Sequence, residues 1–410
     1  ASIFAKTIKA RSHKTIHVLV SCCKPTSART IGQTNATMDS AMKTRKRSQN
    51  FSIGLCLLAV AMCFSLHVST ITYQDSPMEE PQPRREVKAP RPLCQTVEEY
   101  TQGEWVRNTS INTYPYLSGD DYEWGPMCME MQNRYLMDGT VPDFLTYQWK
   151  PQTCDLLPFS KEHFCKVLDG KTIGTIGDSI MQQLAHSFMG IFHGKIDDAS
   201  FVFGEPDWFE GVPYYSKLRV PLCREFPQYS NVTLLFYRWN KYQPDKTSRQ
   251  VLGEIAEASD YLILNWGVHY LPWLDMDVAT QDFIKVLQES WGDKKTERIF
   301  WRSTIVAHEQ CQNATSPEKP SGGHFDTNQN PDYNTNEILL QDEYIVRPRF
   351  LESTLSNVTF LRVEPSTMLR KDGHRVIGRK GTEDCLHYCE PGPVDSWVEL
   401  FYHHVAALNI

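Results

Sequence analysis

Apolar positions along the chain fall into short β-branched or leucine-rich runs, separated by stretches of helical period. Thr172 to Ile176 reads as a buried strand, broken by Gly177-Asp178. Ile180, Leu184 and Phe188 then recur at helical spacing. The alternation continues downstream. Val232 to Tyr237 is a β-rich run, Val251 to Ala258 a helix, and Tyr261 to Leu264 a buried strand ending at Asn265. Phe283 to Trp291 is helical, Arg298 to Trp301 is a strand, and Asn357 to Val363 is another. Apolar strands alternating with helices predict an α/β fold, a parallel sheet flanked by helices on both faces. In such a sheet, reactive residues belong at the carboxyl ends of the strands.

The chain before this region has a different texture. Phe51 to Ile71 contains no Asp, Glu, Lys or Arg and is long enough for one membrane span. The basic cluster Lys43 to Arg47 before it, and acidic residues after it, place the amino end in the cytosol. Residues 51–71 are thus expected to be a transmembrane signal anchor, with a cleaved signal peptide as the alternative. Residues 1–37 hold no Asp, Glu or Met. Residues 1–50 read as a cytoplasmic or non-native leader, with no fold assigned. Residues 72–93, rich in proline and charge, predict an extended stem. Residues 94–410 form the expected luminal domain. It opens with an aromatic-rich, disulfide-tied lobe from Cys94 to Cys165, containing Gly103 to Val106 and Tyr147 to Pro151.

Composition narrows the function. A formal net charge of −7 and a pI near 6.0 give no reason to expect a nucleic-acid partner. Aromatic residues make up 11% of the chain, which suits either a large aromatic core or a sugar-facing cleft. Eight cysteines follow the apolar segment: Cys94, Cys128, Cys154, Cys165, Cys223, Cys311, Cys385 and Cys389. That even set predicts disulfides in an oxidising lumen; paired C-x2-C ligand sets are missing, so no metal is expected. Sequons at Asn108, Asn231, Asn313 and Asn357 agree with a secretory location.

The chemistry gathers at three places. A serine at the strand-to-helix corner Gly177-Asp178-Ser179 exposes its hydroxyl, and its N–H points along the helix dipole toward developing negative charge. Asp178 is expected to hold the turn. Near the carboxyl end, Asp384 stands three residues before His387, a spacing that lets a carboxylate sit beside an imidazole on one tight turn. Read without the serine, the same segment is a disulfide-stapled loop. Asn265, at a strand end, either completes an oxyanion hole with the Ser179 N–H or caps the strand. His269 and Arg302 either line the cleft or serve structure. His403 and His404 read as surface or packing residues.

Taken together, these motifs resemble the trichome-birefringence-like, or PC-esterase, family of polysaccharide O-acetyltransferases within the GDSL/SGNH superfamily. The resemblance runs from Cys94 to the carboxyl end. It rests on Gly103-Glu104-Trp105-Val106, the block Trp149 to Leu156, Gly177-Asp178-Ser179, Asn265 to His269, and Arg302-Ser303-Thr304. The closing block Asp384 to Trp397 is the most specific. Ile180 stands for the usual Leu and Tyr388 for the usual Trp. The resemblance implies an SGNH-like sheet and a Golgi type II membrane protein that acetylates a polysaccharide acceptor. Ser179 is then the nucleophile, His387 the base and Asp384 its orienting group. Asn265, Gly177, His269 and Arg302 are oxyanion or substrate-binding candidates. No nucleotide-binding signature occurs, so acetyl-CoA as direct donor is not visible in the sequence; the acetyl donor, acetyl-CoA or a membrane-derived intermediate, is expected as a co-substrate. An acetylesterase on the same triad and a non-catalytic glycan binder are the competing readings.

Overall fold

The structure is a computed structural model. It describes residues 4–9, 15–20, 90–113, 115–116, 128–192, 202–203, 215–269, 273–305, 307–308, 310–320, 340–374 and 384–408. The chain divides into two units, Ala1–Glu86 and Val87–Ile410. In the first, β1 (Phe4–Lys9) pairs antiparallel with β2 (Thr15–Val20), in a leader for which the sequence suggested no fold. The expected anchor at 51–71 lies outside the described residues. No described helix is long and apolar enough to cross a membrane.

The second unit opens with α1 (Val97–Thr101), β3 (Gly103–Arg107), α2 (Cys128–Asp138) and β4 (Tyr147–Pro151). Then come α3 (Lys161–Val167), β5 (Thr172–Gly177), α4 (Ser179–Ile191), β6 (Val202–Phe203), β7 (Tyr215–Pro221) and β8 (Thr233–Trp239). They are followed by α5 (Lys246–Ala258), β9 (Tyr261–Asn265), α6 (Trp273–Ser290) and β10 (Ile299–Arg302). The chain closes with α7 (Arg347–Leu351), β11 (Thr359–Leu361), α8 (Glu364–Thr367) and α9 (Asp395–Ala407).

The central sheet has the order β11-β10-β9-β5-β8-β7-β6. The first five are mutually parallel; β7 and β6 add an antiparallel edge. The expected all-parallel sheet is therefore mixed. In β7 the alternation Lys217-Leu218-Arg219-Val220 buries Leu218 and Val220 in the core, a period-2 strand signal.

Successive strand residues feed opposite cores. Tyr261 and Ile263 pack with α4 and α9 on one face; Leu262 and Leu264 pack with α5 and α6 on the other. Leu234 and Phe236 go to the first core, Leu235 and Tyr237 to the second. This is why the strands look apolar throughout: each face needs every second residue.

Gly103 to Val106 and Tyr147 to Pro151 fall on β3 and β4, which form a separate antiparallel pair with Trp105 opposite Trp149. The bond Cys94–Cys154 ties this region together, and Cys165–Cys223 joins α3 to the loop after β7. His403 and His404 are packing residues in α9. The Leu157 N–H donates to His403 Nδ1, whose Nε2 donates to the Cys94 carbonyl, and His404 Nε2 meets the Tyr100 hydroxyl.

Candidate active site

β5 ends at a corner that only glycine fits. Gly177 has φ +156°, and a Cβ there would stand 2.1 Å from the Asn265 carbonyl oxygen and 2.4 Å from Met181 Cγ. Asp178 follows in extended conformation and caps α4, accepting from the Ile180 N–H at 2.9 Å and the Met181 N–H at 3.3 Å. Ser179 is the first helical residue, so its N–H lies where the helix offers no acceptor.

Distant in sequence, the loop before α9 brings up the other two groups. His387 Nε2 lies 2.8 Å from Ser179 Oγ, and His387 Nδ1 lies 3.0 Å from Asp384 Oδ2 and 3.1 Å from Oδ1. An ionised carboxylate only accepts, so Nδ1 carries the proton and Nε2 is left to accept from the serine hydroxyl. Asp384 Oδ1 also accepts from the Leu386 and His387 N–H groups. Burial works against its charge, but the hydrogen bond and charge of His387, with these two backbone donors, hold its carboxyl down at about 2. Ser179 is buried but keeps 8% of its surface open.

Several bonds hold this loop in place. Cys311–Cys385 staples it 74 residues back, and Cys389 is also disulfide-bonded. Gln183, one helical turn beyond Ser179, grips the main chain of Tyr388: its Nε2 donates to the Tyr388 carbonyl at 2.6 Å, and its Oε1 accepts from the Tyr388 N–H at 3.0 Å. Further along α4, His186 Nδ1 meets Glu390 Oε2 at 3.0 Å. Behind the loop, His374 stacks on Tyr388 at 4.0 Å, meets the His387 carbonyl and touches His308. Burial pushes His308 down to about 4. Burial first, then His308, keep His374 well below the usual histidine range.

Gln183, His308 and His374 were not foreseen as site residues. Only Gln183 left a trace in the sequence, a polar residue at i+4 from the serine, though Gln182, His186 and Ser187 on the same helix are polar too.

The remaining candidates sit behind the serine or apart from it. Asn265 Nδ2 donates to the Arg302 carbonyl at 2.7 Å and to Thr304 Oγ1 at 2.9 Å, which commits both amide hydrogens. Its Oδ1 accepts from the Gly267 N–H and from Arg302 Nη2. Of the two readings open for Asn265, capping the strand end describes this geometry. Arg302 does not line the cleft. It is fully buried, with Trp397 beneath its guanidinium at 5.2 Å, and donates to the Ser303 carbonyl and to Asn265. Burial lowers its pKa to about 10, against the opposing charges of Asp178, Asp342 and Glu364. Gly177 shapes the corner through its missing side chain. His269 is exposed on the turn Gly267–His269, outside the hydrogen bonds that join Ser179, His387 and Asp384. Among the described residues, no group of three or more His, Cys, Asp or Glu could hold a metal ion.

Comparison with known proteins adds a family to this geometry. Residues 270–404 match the model of PC-Esterase, described as a GDSL/SGNH-like acyl-esterase family found in Pmr5 and Cas1p. Over those residues the chain is similar to the PC-esterase family. Asp384 and His387 fall within the matched residues; Ser179 precedes them. Among the relatives of the chain, trichome birefringence-like 1 of Arabidopsis thaliana is 24% identical over 375 residues. That match covers 78% of this chain and 64% of the relative, so the chain spans just under two thirds of that protein. Trichome birefringence-like 38 of the same plant is 26% identical, over 73% of this chain and 82% of the relative. Xyloglucan O-acetyltransferase 3 of Populus trichocarpa is 26% identical, over 72% and 82%.

Proposed function

We propose that this protein is a polysaccharide O-acetyltransferase working through an acetyl-serine intermediate. The observation that carries the reading is the continuous line Ser179 Oγ, His387, Asp384, at 2.8 Å and 3.0 Å. His387 Nε2 takes the Ser179 proton as Oγ attacks the acetyl carbonyl. The collapsing intermediate expels the donor's leaving group, which recovers that proton from His387. A sugar hydroxyl then attacks the ester carbonyl, giving its proton to His387. The C–O bond to Ser179 breaks, and Oγ is reprotonated. Asp384 stabilises the imidazolium in both halves. The Ser179 N–H, at the positive end of α4, is the oxyanion donor of this proposal.

The name of the Populus relative supports acetyl transfer to a polysaccharide, with an acetyl donor as co-substrate. Hydrolysis on the same residues is the second reading, favoured by the family's description as acyl-esterases. There, water replaces the sugar hydroxyl in the second half.

For location we propose a Golgi lumen behind the anchor at 51–71, with an SGNH-like catalytic domain from residue 94. The described disulfides Cys94–Cys154, Cys165–Cys223 and Cys311–Cys385, with the exposed positions of Asn231, Asn313 and Asn357, support an oxidising, glycosylating compartment. The test is intact-mass analysis of the full chain after exposure to an activated acetyl ester, with and without an acceptor oligosaccharide. A stable acetyl adduct on Ser179 that discharges to sugar supports transfer. Rapid loss to water regardless of sugar makes it an esterase, and no adduct on folded protein overturns both.

A further inference from the structure

A cavity of about 320 Å³ lies between the β3–β4 pair and the helices α4 and α9. Ser179 does not line it. Asp395 does, and its Oδ1 accepts from Ser187, eight residues beyond Ser179 on α4 and therefore about 12 Å along the helix.

The β3–β4 wall is aromatic and held in advance. Trp105 and Trp149 pack edge to face at 5.6 Å. Their indole N–H groups donate back into the protein, to the Ser366 and Tyr100 carbonyls. Gly103 permits this arrangement, since a Cβ there would stand 2.7 Å from the Trp149 ring. With the nitrogens satisfied, what these rings offer the cavity is carbon.

The opposite wall carries carboxylic acids. Asp395 is saturated: it accepts from Tyr116 and Ser187 on Oδ1 and from the Gly392 N–H on Oδ2. Glu399 is not. Among the described residues no hydrogen bond or ion pair reaches its carboxyl, although it opens into the cavity. Its side chain is exposed at the cavity.

This combination selects a ligand class. Lys161 and Arg370 line the cavity alongside Glu399 and Asp395, so its charges are mixed and favour neither sign of ligand. A second cation would meet the Arg370 guanidinium, already 4.3 Å over the Trp105 ring and 5.8 Å over Tyr147. A hydrocarbon would bury Glu399 without a partner, at a cost. A pyranose has carbon–hydrogen faces for the rings and vicinal hydroxyls for Glu399, and the volume is at the lower end for small-molecule sites.

We propose that this cavity binds one neutral pyranose ring of a glycan and anchors the acceptor chain at a distance from Ser179. The anchoring role rests on the transferase reading; the sugar binding does not. The test is titration of the full chain carrying Ser179→Ala, so that nothing turns over, with a panel of neutral, deacetylated oligosaccharides. The panel is built from glucose, xylose, mannose or galactose, and tryptophan fluorescence reads binding. At least one member binds, and adding Glu399→Ala or Ile111→Trp, which fills the cavity mouth, weakens it about tenfold or more. Circular dichroism confirms that the variants are folded. If no member binds, or affinity survives both changes, the proposal falls. Acetyl-serine formation by the wild-type chain from 4-nitrophenyl acetate is read separately. Its absence would overturn the transferase reading and leave the sugar-binding result standing.

Discussion

At the residue scale, the candidate chemistry depends on charges and corners set within a few ångströms. Ser179→Ala removes the attacking oxygen and should abolish the acetyl adduct in a folded protein; intact mass checks this. Gly177→Ala must push against the Asn265 carbonyl from a φ that L-residues rarely adopt, so it should destabilise by about 1–3 kcal/mol and displace Ser179. Chemical denaturation and adduct formation read the two effects. Asp384 supplies a pH prediction. Its carboxyl is held at about 2, below the value of 3.8 it has unperturbed. Its contribution to stability, on the order of 2 kcal/mol, is therefore complete above pH 4 and fades as pH falls through 2. Asp384→Asn should flatten the loss of stability between pH 4 and pH 2, measured by denaturant midpoints.

At the element scale, the question is how the loop carrying His387 keeps register with the helix carrying Ser179. Gln183 spans the two with paired bonds to Tyr388, a side-chain amide doing the work of a strand neighbour. Gln183→Leu leaves a buried N–H and carbonyl without partners, at about 1–3 kcal/mol. If the pairing sets the Ser179–His387 distance, acylation should fall by about 10²-fold. Full stability loss with unchanged acylation in the folded fraction would confine Gln183 to a structural role. The Cys311–Cys385 bond acts on the same loop from the other side. Because it closes 74 residues, replacing both cysteines with serine should cost about 4 kcal/mol by the chain-entropy account. Thermal unfolding of the double variant measures that cost.

At the scale of the whole molecule, two cores share one sheet, and the second supports the floor under the serine. Phe283 stacks on Trp301 at 5.7 Å, and Trp301 donates to Asp342, which also accepts from the Thr304 N–H. Thr304 in turn accepts from Asn265. Burial pushes the Asp342 carboxyl up to about 7. Phe283→Ala, far from the triad on the opposite face, should cost about 3–5 kcal/mol. It tests whether the second core carries global stability, and denaturant unfolding gives the answer.

What the sequence determined by itself was local. Strand and helix periods, the Gly177-Asp178-Ser179 corner and the Asp384–His387 turn depend on neighbours within about one helical turn, so their residues show in the chain order. The apolar strands β5, β8, β9 and β10 were legible because burial on two faces makes every position apolar. β7 alternates but was not read as a strand, and its antiparallel pairing was not legible, because alternation says nothing about strand direction. Tertiary structure decided whatever joins distant segments: which cysteines pair, that His387 reaches Ser179 across 208 residues, and that Gln183 locks the two together. It also decided the fate of Asn265 and Arg302. Both stand at strand ends, where the sequence places reactive groups, yet each side chain turns inward and bonds the other and its buried neighbours. Direction and partner are properties of packing, and packing is fixed only when the whole chain has closed around its two cores.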